Sequence, residues 1–391
     1  MSAVPRPITS PPDKAELDQR LERVRALMAE KDLDYYVSFD PVNVYYLTNF
    51  ANFVHERPFL LIIAQQGTPT MLAPLLELTH VKMRARCDLE YVTYYEFPAP
   101  DGENWYDIYP TLFEENRRVG IESAMPVGIA RKTPGEVTMT DVIDEARLIK
   151  SEYEIGRTAH ACTIVDLGHA TLLEMCKPGL PEGAIYSAVS GAMTKKVFED
   201  IPNANFMITK TAAFVWPPTI GHDPHHFPSL AMPMEQGGPH VSIVIAQVDG
   251  YGVELERTFF LGEIPEHAKK PFDVMFRARA TAYEMLKPGQ DLADIDVAVR
   301  KVITDAGYED SILHRTGHGF GITGHEAPYL AIGEKRALEA GMIVSIEPGI
   351  YREGEGGFRH SDTVLITDDG YICLTNAPDT LEELVLPVDG V

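Results

Sequence analysis

VSIVIAQVDGYGVELERTFF, running from Val241 to Phe260, holds two apolar runs separated by Asp249-Gly250. Asp-Gly flanked by such runs is the strongest short-range signal for a two-residue hairpin turn. Pairing outward from it sets Ile245 opposite Glu254 and Ile243 opposite Glu256. Strand side chains alternate, so Ile243, Ile245, Glu254 and Glu256 share one face, and Val244, Ala246, Val253 and Leu255 the other. Both faces are largely apolar, as in a strand pair covered on both sides. Two carboxylates there need partners, because an isolated buried charge is expensive. A structural ion pair, with Arg257 nearby, is one reading; a ligand site is the other, since perturbed carboxylates cluster at functional sites.

Outward from the hairpin, TLLEMCKPG (Thr171 to Gly179) and TAYEMLKPG (Thr281 to Gly289) share six of nine residues at a constant offset. Each ends a helix at Lys-Pro-Gly, a stop signal, and so close a match beyond the stop points to internal duplication. The long helix leading to the first stop starts near Glu152, and a domain boundary falls at 146–151. Before it, Pro11–Asp32 carries Leu17, Leu21, Val24, Leu27 and Met28 on one helical stripe. Short strands around Tyr35–Ser38, Phe59–Ala64 and Thr70–Leu72 follow, which makes a small α/β domain.

Four further tracts carry chemistry: Gly317-His318-Gly319-Phe320-Gly321, then His325-Glu326-Ala327-Pro328-Tyr329, then Ser345-Ile346-Glu347-Pro348-Gly349, and Gly357-Phe358-Arg359-His360-Ser361-Asp362. With Glu254-Leu255-Glu256-Arg257-Thr258, this order resembles the methionine aminopeptidase, prolidase and creatinase superfamily along the whole chain. The resemblance implies an α+β fold, with a small α/β N-terminal domain (1–150) and a duplicated pita-bread catalytic domain (151–391). The latter has a curved, mainly antiparallel sheet with outer helices.

In metal-dependent members of that superfamily the ligands are two Asp on a hairpin, a His in the Gly-His-Gly motif and two Glu on later strands. His318 and Glu347 match them. The first Asp aligns with Ile243, the second with Glu254 and the last Glu with Ser361. Ile cannot coordinate and Ser is a poor ligand, so the expectation is no metal and no cofactor. Creatinase is a metal-free member whose general acid/base is a His upstream of the hairpin. In Gly221-His222-Asp223-Pro224-His225-His226-Phe227-Pro228 that place falls to His226, two residues before Pro228. Arg57, in Phe53-Val54-His55-Glu56-Arg57-Pro58-Phe59, matches a segment that grips the substrate carboxylate across a homodimer interface.

Overall the chain is most similar to the ectoine-hydrolase branch. That resemblance implies metal-independent opening of a cyclic amidine ring to N-acetyl-2,4-diaminobutyrate. His226, Glu254, Glu256, His318, His325 and Glu347 would be catalytic, with Arg57, His225, Tyr329 and His360 on the substrate. The rivals are a creatinase-type amidinohydrolase, a metal-dependent Xaa-Pro aminopeptidase or prolidase, a lyase acting on a sulfonium solute, and a non-catalytic peptide-binding module.

The resemblance implies a small-molecule substrate as partner, and composition bears on the other classes. The formal charge of −24 opposes nucleic acid and anionic membrane. No apolar run reaches a bilayer's span and the first residues lack a signal core, so a cytoplasmic enzyme is expected. The four Cys lack CxxC spacing and read as buried thiols, not a zinc site.

Overall fold

The Asp249-Gly250 turn forms as its dipeptide dictates: both residues have positive φ, 46° and 102°, and Val248 faces Tyr251 across it. Strands Gly237–Val248 and Tyr251–Leu261 then pair with Ile245 opposite Glu254 and Ile243 opposite Glu256. The Asp249 carboxylate ties the turn down, accepting from Arg157 (3.1 Å) and from the Asn205 N–H (2.9 Å).

This computed structural model describes residues 4–388. It divides into two compact units, residues 10–147 and residues 148–388 with residues 4–9. The smaller is an α/β unit around a six-stranded mixed sheet. Tyr35–Ser38 is central, antiparallel to Leu60–Ala64 and parallel to Arg118–Ile121. Helix Lys14–Glu30, capped by the Asp13 carboxylate, buries Leu17, Val24 and Met28.

In the larger unit the hairpin belongs to a four-stranded sheet with Lys210–Trp216 and the short strand Val385–Leu386. A five-stranded antiparallel sheet runs in the order Glu326–Leu330, Gly317–Gly319, Ile343–Ile346, Asp362–Thr367 and Gly370–Cys373. A two-stranded sheet, Gly349–Arg352 with Gly356–Arg359, completes the set. Reciprocal N–H···O bonds of 3.1 Å between Glu256 and Ser361 join hairpin and five-stranded sheet. Curving the sheets toward each other in this way brings both carboxylates of the hairpin to the strands that carry His318 and Glu347.

The duplication is visible in the backbone. Helices Glu152–Met175 and Glu266–Met285 each lead through a left-handed glycine, Gly179 (φ 81°) or Gly289 (φ 84°), into helices Glu182–Asp200 and Leu292–Asp305. Only glycine adopts that φ without strain. The Gly179 N–H donates to Met234 O (2.9 Å) and the Gly289 N–H to Leu338 O (2.8 Å), so the two halves make the same tie. No helix among the described residues is long and apolar enough to cross a membrane. Cys87, Cys162, Cys176 and Cys373 are free thiols.

His240 is buried in the hairpin sheet, stacked on Phe259 at 5.1 Å, and its Nε2 accepts from the Glu235 N–H. Burial, the largest influence, pulls its pKa down to about 4. The unfolded chain, with a histidine pKa of about 6.5, therefore binds more protons between those values. The resulting stability is fully present above about pH 6.5 and is lost as pH falls toward 4. At pH 5 the loss is on the order of 2 kcal/mol. Thermal unfolding of wild type and His240→Gln between pH 7.5 and 5 checks this: the variant should lose less stability on acidification, and parallel profiles would refute the assignment.

Candidate active site

Glu254, Glu256, His318, His325 and Glu347 line one cavity of about 370 Å³, with Ile243, Ile245, Phe214, Trp216, His225, Phe227, His314, Arg315 and Arg359. Alternation along the hairpin delivers the two glutamates. His318 arrives on the three-residue strand Gly317–Gly319, wedged between its neighbours. A Cβ on Gly317 would lie 2.1 Å from Ser345 O, and one on Gly319 2.3 Å from Ala327 O, so only glycine permits this approach. Ser345 Oγ accepts from the His318 N–H (2.9 Å) and donates to Glu347 Oε1 (3.1 Å), which locks the strand that carries the imidazole to the strand that carries the carboxylate.

The His318 ring points Nδ1–H at Gly319 O (3.1 Å), leaving Nε2 toward the carboxylates, 3.1 Å from Glu347 Oε1 and 3.5 Å from Glu254 Oε1. Burial opposes the imidazolium, yet these two carboxylates push His318 up to about 11. Burial likewise works to raise Glu347, but the His318 charge holds it well below the usual carboxylate range. His325 lies more open, its ring 3.9 Å from that of His318; burial and then the His318 charge lower its pKa. A buried ion pair, Lys150 with Glu326 at 3.0 Å, underlies its loop, and Glu326 also accepts from the Thr323 hydroxyl at 3.0 Å.

The partner of Glu256 is Arg359, not Arg257. Nη2 of Arg359 donates to Glu256 Oε1 at 2.5 Å and Nε faces Oε2, a two-point fork. Burial raises the Glu256 carboxyl, and the guanidinium is the largest influence against it. Arg359 Nη1 also donates to the Tyr351 hydroxyl (3.0 Å), which lies 2.8 Å from His314 Nε2. Arg257 lies behind the sheet, where it pairs with Asp362 at 2.9 Å.

Arg359, His314 and Arg315 did not stand out in the sequence. Arg359 was recoverable: it lies two residues from Ser361, and side chains two apart on an extended segment share a face. The same alternation corrects two expectations. His360 is fully buried against Phe272 and Phe276, its Nδ1 3.5 Å from Asp379, and does not line the cavity. His226 is exposed, with Nδ1 3.6 Å from Asp223, while His225 and Phe227 on either side line the cavity. The expected acid/base is therefore absent from the lining that holds the carboxylates. Tyr329 stacks under Arg315, 4.6 Å from ring centroid to guanidinium, and meets the cavity through that residue. Arg57, in the smaller unit, is held by Glu96 (2.5 Å) and Glu56 (3.6 Å).

The model of metallopeptidase family M24 matches residues 156–368, more than half of the chain. The chain belongs to this family. A creatinase/prolidase N-terminal domain matches residues 20–150. Probable dipeptidase PepE of Mycobacterium tuberculosis is 28% identical over 386 residues, covering 95% of this chain and 96% of that protein. Among solved structures, dipeptidase PepE from Mycobacterium ulcerans superposes with a TM-score of 0.82 at 27% identity, covering 97% of this chain and 100% of that one. The prolidase from Thermococcus sibiricus gives 0.82 at 29% identity, covering 95% and 99%. These comparisons overturn the reading as a metal-independent enzyme of ectoine degradation: the family is one of metallopeptidases, and the relatives bear dipeptidase and prolidase names. This M24 chain is a hydrolase, and the peptidase alternative is the better supported.

The donors of the cavity fit one divalent cation and not the usual pair. Glu254, His318 and His325 offer ligand atoms within 4.8 Å of one another, as do Glu254, Glu256 and Glu347. His318 Nε2 is buried without a hydrogen-bond partner of good geometry, and its Nδ1–H is anchored on a carbonyl, an arrangement suited to a ligand imidazole. A second cation would find Ile243 without a donor atom, the Ser361 hydroxyl donating to Glu254 Oε1 (3.0 Å), and Glu256 held by Arg359. The fixed guanidinium charge stands where it repels another cation.

Proposed function

We propose that this M24 chain hydrolyses the peptide bond of short peptides, dipeptides above all, with one divalent cation held by Glu254, His318 and Glu347. The observation that carries this is the convergence of those three side chains, with His318 Nε2 3.1 Å from Glu347 and 3.5 Å from Glu254. When bound, such an ion polarises a carbonyl and acidifies water. Glu254 and Glu347 supply the compensating charge, and Ser345 and Ser361 hold them in place through their hydroxyls. His325, open to the cavity beside this set, is placed to take a proton from the attacking water at a ring nitrogen and return it to the leaving amine. Arg359 neutralises Glu256, so a third carboxylate does not repel the substrate's own carbonyl and carboxylate oxygens.

Release of free amino acids from a dipeptide panel that includes Xaa-Pro, abolished by chelator and restored by Mn²⁺, tests the reading; cleavage of no dipeptide by the loaded protein would end it. In the same assay His325→Ala is expected to lower kcat by roughly 10²–10³-fold, whereas His226→Ala stays within about twofold of wild type because its ring faces solvent. A large loss in His226→Ala would restore the acid/base role to that residue. The protein is further proposed to act as a homodimer, a reading supported by the similarity of the Phe53–Phe59 segment to one that crosses a dimer interface. Light scattering at micromolar concentration tests it, and a monomer would exclude it.

A further inference from the structure

Arg359 and His318 are each paired with glutamate, but Arg315 is not. Among the described residues no carboxylate pairs with its guanidinium, and its buried Nε has no hydrogen-bond partner. It lines the same cavity as Glu254, Glu347 and His325, three residues before His318. Tyr329 holds the guanidinium against its ring face at 4.6 Å. Cation–π stacking of this kind fixes the plane of the fork before anything binds, so less ordering remains to be done on binding.

The charges in the cavity indicate what is missing. One divalent cation is balanced by Glu254 and Glu347, and Arg359 by Glu256. The positive charge of Arg315 is left over, in a cavity that Phe214, Trp216 and Phe227 also line. A planar guanidinium beside aromatic walls suits a carboxylate attached to an apolar residue. We propose that Arg315 is the anchor for the free C-terminal carboxylate of the substrate, so that the cavity selects short peptides ending in an apolar residue over blocked or amidated ones. Arg57, the candidate from sequence for this task, already has Glu96 and Glu56 as partners. This inference rests on the peptidase reading for its reaction but not for its binding chemistry, and the two can be tested separately.

The test compares alanyl-proline with its C-terminal amide in Mn²⁺-loaded wild type, Arg315→Met, Arg315→Lys and Arg57→Met, reading kcat and KM for each. Calorimetric titration of the same proteins with L-proline and L-prolinamide reads carboxylate recognition without turnover. Wild type should favour the acid by on the order of 10–100-fold, the scale of a charge-assisted fork. In Arg315→Met that ratio should collapse to within about threefold, mainly through KM, while Arg315→Lys, with charge but no fork, falls between. Circular dichroism verifies that the variants fold, and the lysine variant preserves the test should the methionine variant not. Absence of an acid preference in wild type, its persistence in Arg315→Met, or its collapse in Arg57→Met instead would each overturn the proposal. If proline binding depends on Arg315 while no peptide is cleaved, the anchor stands and the peptidase reading falls. If peptides are cleaved with no such dependence, the reverse holds.

Discussion

Glu347→Gln is expected to lower kcat/KM for dipeptide hydrolysis by at least about 10³-fold while the chain stays folded. The substitution keeps the shape of a buried side chain and removes only its charge. That charge is one of two facing His318 Nε2, at 3.1 Å, and is held ionised by the imidazolium despite burial. Without it the cation loses a carboxylate ligand and half of the compensating charge, so ion affinity falls with activity. Ser345 Oγ can still donate to the amide oxygen, which is why the strand pairing should survive. Steady-state kinetics with metal analysis and circular dichroism check it. A folded Glu347→Gln that retains a tenth of wild-type activity would remove Glu347 from the machinery.

The largest effect on stability is expected behind the sheet. Asp362 is buried, takes Arg257 at 2.9 Å on one oxygen and Arg279 on the other, and accepts from Thr375 Oγ1 at 2.8 Å. Burial opposes its charge, but the two guanidiniums hold its pKa below the ordinary value. Asp362→Asn leaves Arg257 and Arg279 buried against a neutral amide, with only the half-exposed Asp379 in reach. Breaking a buried ion pair from one side costs about 3–5 kcal/mol. For a unit of this size that corresponds to a fall in Tm of roughly 10 °C. Differential scanning calorimetry reads it directly, and a shift below about 2 °C would mean that the network contributes little net stability.

The two results depend on neighbouring ends of two paired strands, Ile343–Ile346 and Asp362–Thr367, and the sequence was unevenly legible there. Hairpin register was readable because Asp249-Gly250 permits positive φ and so fixes which residues face each other, Ile245 with Glu254 and Ile243 with Glu256. The repeated Lys-Pro-Gly stops were readable for the same local reason, since Gly179 and Gly289 both need a left-handed backbone. Partner choice was not local. Glu256 reaches across to Arg359, more than a hundred residues away, while its neighbour Arg257 turns to the other face for Asp362. Distance from Pro228 singles out His226, but the side chains of its loop alternate, and the cavity receives His225 and Phe227. The missing donors at Ile243 and Ser361 were plain in the sequence. They argue against a pair of ions, whereas Glu254 and Glu347 still converge on one point, His318 Nε2, which only the folded chain makes visible.

That point can be counted. Chelator-stripped protein titrated with Mn²⁺, with bound ion measured by elemental analysis alongside hydrolysis of alanyl-proline, should bind one ion per chain and gain activity in proportion to it. Two ions per chain, or no cleavage of the peptide bond at full loading, would contradict a single-ion peptidase.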